Sequence, residues 1–333
     1  MKLVLDYKST SGLNKTEDGI RFLIYKAEND ASGKHAPMPV CKGQDIDIDA
    51  TGNISLRKGQ TLLKSGTTYH SLKSFGDLCF IVDGSNLKRL YEDFTTLSTL
   101  YSGISGRTWY CRIGDTVYFT DATILGRVRN GNYEALPAVS YGLTKPEVMQ
   151  HMNTTRMNPP AGQLIDFYNN RLMVASGNIL YISDALAPHR VHKSKGFIQF
   201  NGFITLLKSV QDGVFIADSL GVYFLKGGDI KESTKVFKSN LSEPISVSRP
   251  VLYAVEDVDY KNFGLELQDG KYFVFGSNDG VYLAGDGGFL RNLIDKKYPA
   301  IDAKEGTILF RENTKDVFGQ TQTVYQIIFI AKQ

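Results

Sequence analysis

A repeated pattern constrains this chain more than any other feature. A strand-like apolar run meets a short turn of Gly, Asn, Asp or Ser, and a second run follows that opens near a Val-Tyr or Leu-Tyr pair. One copy reads Leu172-Met173-Val174-Ala175, then Ser176-Gly177-Asn178, then Ile179-Leu180-Tyr181-Ile182-Ser183-Asp184. Others run Val214 to Leu225 around Ser219-Leu220-Gly221, Tyr272 to Ala284 around Ser277-Asn278-Asp279-Gly280, and Trp109 to Asp121 around Gly114-Asp115. A more diverged copy spans Leu78 to Leu87. Two further candidates lie toward the ends, at Asp45 to Leu56 and at Ile308 to Ile330.

A lone hairpin is marginally stable in water, whereas several stacked around an axis bury both faces and leave only short edges. The pattern therefore predicts an all-β, β-propeller-like fold of about five to seven blades built from repeated antiparallel hairpins; an open set of β-sandwiches is the competing architecture. With 18 Tyr, 19 Phe and 32 Gly against 10 Pro, the composition suits aromatic strands joined by glycine turns. The 333 residues read as one domain. The near-continuous apolar run Val324 to Ile330 is the expected ring-closing strand.

In the four clearest copies the tyrosines fall at 118, 181, 223 and 282, spaced by 63, 42 and 59 residues. A four-stranded blade needs roughly 40 to 50. The longer steps predict insertions at residues 133–162 and 231–249. The first is Met-rich, contains Asn158-Pro159-Pro160-Ala161-Gly162, and holds a short helix candidate at Pro146 to Met152. Loops on a rigid scaffold commonly carry binding, so Tyr141, Met149, Met152 and Met157 are the candidate partner-contact residues.

Several chemistries find no signature. The 38 basic and 35 acidic residues are interspersed, leaving no electrostatic footprint for nucleic acid. Cys41, Cys79 and Cys111 are odd in number and lack CxxC spacing, which argues against a disulfide framework or a cysteine-rich zinc site and for a reducing place of synthesis. The start, Met1-Lys2-Leu3-Val4-Leu5-Asp6, turns polar too soon for a signal peptide, and no stretch reaches the roughly 18 apolar residues of a membrane span.

Asp45, Asp47 and Asp49 resemble the opening of a calcium loop, but Leu56 occupies the closing position and the alternation with Ile46 and Ile48 suits a half-buried strand better. His189 and His192 are close in sequence without a carboxylate or Cys at ligand spacing, and read as loop surface. Neither an Asp-box turn, a Gly-x-Ser-x-Gly elbow, a phosphate loop nor a HExxH helix is present. Carboxylates such as Asp166, Asp257 and Asp259 cannot be paired by sequence. The expectation is no catalysis, no metal and no cofactor. Tyr141, Phe167, Tyr168 and Phe289 are aromatics that could stack on sugars or fill a partner's pocket, with core packing as the plainer role.

The segment Gly162-Gln163-Leu164-Ile165-Asp166-Phe167-Tyr168-Asn169-Asn170-Arg171 through Asp184 and Pro188-His189 resembles a signature of tailed-bacteriophage virion structural proteins. So do Asp47 to Gly59, with its Asp-x-Asp-x-x-Gly-x-x-x-x-Arg-x-Gly pattern, His70-Ser71-Leu72, and Gly213-Val214 to Phe224. The likeness covers roughly residues 40 to 230. It implies a propeller subunit of a tail tip, nozzle or hub, made in the host cytoplasm, partnered by other virion tail proteins, set in a homo-oligomeric ring and without known catalysis. The alternative is a lectin-like propeller that binds host-surface carbohydrate. That reading expects equivalent aromatic and polar residues in several blades, and the aligned copies do not show them.

Overall fold

A computed structural model describes residues 10–13, 38–40, 46–48, 54–56, 65–66, 68–139, 154–228, 230, 234–239, 244–251, 270–277, 280–292, 305–317 and 320–332. The chain divides into two compact units. One comprises Met1–Thr61, Ile245–Gly285 and Phe289–Gln333, the other Leu62–Pro244 and Asp286–Gly288.

The second unit carries four antiparallel meanders, each following the last in sequence. The first sheet is Tyr69–Phe75, Leu78–Asp83, Asn86–Leu90 and Leu97–Ser102, and the next is Trp109–Ile113, Thr116–Thr120, Leu125–Arg129 and Asn132–Glu134. A third comprises Leu164–Tyr168, Arg171–Ser176, Ile179–Asp184 and Ala187–His192, enlarged by Arg156–Met157 beside its last strand and Phe197–Gln199 beside its third. Leu206–Ser209, Gly213–Asp218, Gly221–Lys226 and Thr234–Ser239 form the fourth. First strands of successive sheets lie side by side, from 69–75 through 109–113 and 164–168 to 206–209. Sequential four-stranded meanders with adjacent inner strands make the fold all-β and propeller-like.

In the first unit, Pro244–Val251, Tyr272–Ser277, Gly280–Gly285 and Phe289–Asn292 make a fifth four-stranded sheet. Ile46–Ile48 pairs antiparallel with Ile54–Leu56, so Ile46, Asp47 and Ile48 of the alternation lie on a strand, while Asp45 and Asp49 fall outside the described residues. Thr10–Leu13 pairs parallel with Met38–Val40. Among the described residues there are five sheets of four or more strands, the lower end of the expected blade number.

Alternation explains why the strands read as unbroken apolar runs. Val117 and Phe119 join Phe80, Val82 and Leu87 in the core between the first two sheets, while Tyr118 between them faces Cys111, Ile165, Leu172 and Val174 in the next core. Met173 and Ala175, out of phase with Leu172 and Val174, join Leu180, Ile182, Leu207, Val214 and Ile216 on the far side. Because successive side chains point to opposite faces and both faces are covered, the second strands Gly213–Asp218 and Tyr272–Ser277 are buried at every position, and Thr116–Thr120 and Arg171–Ser176 at all but their end residues.

Three expectations need correction. The Trp109 to Asp121 copy occupies the first and second strands of its sheet, whereas the Leu78, Leu172, Val214 and Tyr272 copies occupy second and third strands. In register, third strands open at 86, 125, 179, 221 and 280, spaced by 39, 54, 42 and 59 residues. Residues 231–249 are less an insertion than sheet. They contain Thr234–Ser239, which pairs with Gly221–Lys226, and the start of the first strand of the fifth sheet. Their Ser and Lys content is that of a guarded edge strand. Val324 to Ile330 closes no ring among the described residues. It lies within Gln320–Lys332, which pairs along its whole length with Glu305–Val317.

Candidate partner-contact surface

Successive sheets of the second unit are joined at two levels by polar side chains. On one face, a carboxylate at the end of the second strand holds the segment that leads into its own sheet. Asp121 accepts the Ser105 N–H at 2.7 Å and, through its other oxygen, the N–H groups of Thr123 and Ile124 at 2.9 Å each. Asp218 repeats the arrangement, accepting from Gly202 N–H at 3.3 Å and Leu220 N–H at 2.9 Å. In the first sheet, Thr68 donates its hydroxyl to Asp83 at 2.5 Å, and Asp83 also pairs with Lys88 at 2.7 Å. The third sheet has Ser176 at the strand end, and the roles reverse. There Gln163 in the incoming segment receives the Gly177 N–H at 2.9 Å and donates to the carbonyls of Gly177 and Ile204 at 2.9 and 3.0 Å.

These carboxylates are structural acceptors. Burial works to raise the Asp121 carboxyl, but the N–H donors of Ser105 and Ile124 and both groups of Thr123 outweigh it and hold it below the ordinary carboxylate range.

On the other face, the turn between first and second strands reaches the following sheet. Asn169 and Asn170, both at positive φ (43° and 60°), make the two-residue turn that this Asn-Asn pair signals. Asn169 donates to the Gly228 carbonyl and the Tyr168 hydroxyl to the Gly227 carbonyl, the latter at 3.0 Å. Arg112 likewise donates to the Phe75 carbonyl at 2.6 Å and to Asp77 at 3.2 Å, and within the second unit Asp212 accepts the Gly287 N–H at 3.0 Å.

Between these levels, the inner strands contribute an almost buried ion pair. Asp166, 7% exposed, accepts the Ser209 N–H at 2.6 Å with Lys208 Nζ at 3.6 Å. The Cys111 thiol stands close enough to feel both charges, and burial first, then Asp166, pushes its pKa well above the ordinary thiol range.

Of the predicted contact residues, Tyr141, Met149 and Met152 lie outside the described residues, as do the helix candidate at 146–152 and Cys41. Met157 is half-buried in the strand Arg156–Met157, opposite Val191. Residues 156–157 of the 133–162 segment are thus part of the third sheet. Arg156 pairs with Asp184 at 2.6 Å, and the Asn158 amide donates to the carbonyls of Pro137 and His189 at 3.0 Å each. His189 and His192 belong to the strand Ala187–His192 rather than to a loop. Burial and the neighbouring Arg190 and Arg127 lower the His189 pKa. Tyr168 is buried, while Phe167 and Phe289 are half-buried, Phe289 edge-on to Tyr272.

No group of three His, Cys, Asp or Glu side chains that could hold a metal occurs among the described residues, and no helix there is long and apolar enough to cross a membrane. Two large apolar side chains stand exposed beside the Asp218 joint. Phe203 and Leu220 are 55% and 54% exposed, and each follows directly on a residue tied to Asp218 or is itself so tied. Sequence periodicity missed this pair, because both sit in turns; the recurring Asp after a run of apolar residues (Val82-Asp83, Thr120-Asp121, Ala217-Asp218) was the available signal.

No protein-family model and no curated protein sequence matches the chain. Among solved structures it is similar to PorZ, described as an essential bacterial surface component of the type-IX secretion system of Porphyromonas gingivalis, at 12% identity and a TM-score of 0.41, covering 78% of this chain and 30% of that one. It is similar at 11% identity and a TM-score of 0.40 to an auxiliary nutrient binding protein from Bacteroides thetaiotaomicron, over 68% and 56% of the two chains. A third likeness, to BBS1N in complex with ARL6DN, has 14% identity and a TM-score of 0.41, over 79% and 76%. The chain therefore spans between about a third and just over half of the first two proteins. The sheets and their junctions define its class on their own: a propeller-like repeat protein whose polar residues serve as joints.

Proposed function

We propose that the chain is a non-catalytic structural subunit of a bacteriophage tail, in the tip, nozzle or hub, acting through protein–protein contacts with other tail proteins and with copies of itself in a ring. One observation carries this reading. The segment that resembles phage virion proteins, Gly162 to Asp184, is also the segment that joins the sheets: Gln163 clamps a turn, Asp166 takes the Ser209 N–H, and Asn169 reaches Gly228. The likeness thus falls on residues that make a rigid frame, which suits a mechanical role. Exposed Phe203 and Leu220 on the carboxylate-held face, and the contact residues expected in the 133–162 segment, supply surface for partners.

The discriminating experiment combines light-scattering mass at several concentrations, with residues 133–162 intact or shortened, and a glycan array. A defined oligomer without glycan binding supports the tail subunit. A monomer in both forms that binds one glycan class replaces it with the lectin-like reading.

A further inference from the structure

We propose that the outer edge of the strand Gln320–Lys332 is a homotypic assembly edge, pairing antiparallel with the same strand of a second copy about a two-fold axis at Gln326.

The strand belongs to a sheet of only two members. Among the described residues its single pairing partner is Glu305–Val317, over 13 residues on each side. At roughly 3.4 Å per residue it presents an edge of about 44 Å. Natural sheets guard such edges with charges, proline, glycine bulges or short length, because an unguarded row of backbone donors and acceptors recruits another strand. From Gln320 to Ala331 this strand has no charged residue, no Pro and no Gly, and it contains Val324, Tyr325, Ile327, Ile328, Phe329 and Ile330. Its partner is guarded by Gly306, Glu305, Arg311, Glu312, Lys315 and Asp316. Outer strands elsewhere are much shorter: Leu97–Ser102 is uncharged but has six residues, while Thr234–Ser239 carries two lysines. The asymmetry points to one edge of the hairpin.

The occupant follows from the sequence of that edge. Reversed upon itself about position 326, the strand sets Tyr325 opposite Ile327, Val324 opposite Ile328, Thr323 opposite Phe329 and Gln326 opposite itself, while Lys332 meets Gln320. Apart from Lys332 opposite Gln320 every such pair is uncharged, and no like charges meet. The product is a four-stranded antiparallel sheet, and a two-stranded hairpin by itself is marginal in water. A second copy of the chain supplies the missing strands without any other partner.

The register also provides the test. Within its own hairpin Gln326 stands opposite Arg311, so Gln326→Glu adds an opposite-charge pair inside one copy and a like-charge pair between two. By sedimentation or light scattering of the full chain, the expected result is a concentration-dependent dimer that Gln326→Glu weakens by roughly tenfold or more, with an unchanged circular-dichroism spectrum. Gln326→Cys gives a second readout that needs no charge. Opposed strand positions are about 4.5 to 5.5 Å apart at Cα, within disulfide range, so mild oxidation should yield a reducible dimer that wild type does not form. A monomer at every concentration overturns the proposal, as does an oligomer that Gln326→Glu leaves unchanged and Gln326→Cys fails to cross-link. The edge does not depend on the tail reading: an oligomer indifferent to both variants removes the edge alone, and absence of the chain from tailed particles removes the tail reading alone.

Discussion

The buried hydroxyl of Thr120 serves both backbone polar groups of Gly162: it accepts the Gly162 N–H at 3.1 Å and lies 2.6 Å from the Gly162 carbonyl, to which it donates. Forty-two residues separate the two, and the contact ties the end of one sheet's second strand to the segment entering the next. The glycine is required by space. A Cβ there would stand 2.1 Å from the Ala175 carbonyl oxygen and 2.7 Å from Val174 Cγ1.

Gly162→Ala therefore forces backbone apart and should cost about 3 kcal/mol, while Thr120→Val leaves the buried Gly162 N–H without its acceptor at about 2 kcal/mol. Thr120→Ser keeps the hydroxyl and should fall below 1 kcal/mol, by about the loss of one methyl. Urea midpoints of the three variants check the order.

Asp121 gives a pH dependence. Its folded pKa is depressed, so the stability it contributes is fully present above the unfolded value, near 3.8, and is lost as pH falls through the lower folded value. Acid unfolding below about pH 4 should accordingly be shallower in Asp121→Asn than in wild type. At pH 7 the variant should be less stable, since its side-chain NH₂ replaces one acceptor for the Ser105, Thr123 and Ile124 donors. Equal slopes in both proteins would contradict the assignment.

Removing the carboxylate of the inner-strand ion pair, as in Asp166→Ala, leaves the Ser209 N–H unpaired and Lys208 without its anion, and should cost about 3 kcal/mol. Adding Lys208→Met should recover part of that loss. The coupling from the double-mutant cycle measures the pair.

Thiol chemistry separates the two described cysteines. Cys111 is 5% exposed with its pKa pushed up by burial, whereas Cys79 is only half-buried. In a Cys41→Ser background one thiol should react with a disulfide reagent in the native state, and Cys79→Ser should abolish that phase. Cys111 should react only at the rate of unfolding.

The hairpins were legible in the sequence wherever both strands were apolar and the turn held Gly or Asn, as at Leu172 to Asp184. Phase was not. Burial on both faces removes the alternation that distinguishes one strand from the next, so Tyr118 on a second strand resembled Tyr181, Tyr223 and Tyr282 on third strands. Outer strands such as Thr234–Ser239 were hidden by the Ser and Lys that protect an edge. The joints escaped notice because they pair residues far apart in sequence: Asp166 with Ser209, and Asn169 with Gly228. Each partner is unremarkable alone.

Antibodies raised against the purified chain, applied with gold label to tailed particles from the strain that carries the gene, test the tail assignment most directly. The account predicts label confined to the tail end of the particles, in a fixed number per tail. Particles that carry no label, with the chain found only free of them, would contradict it.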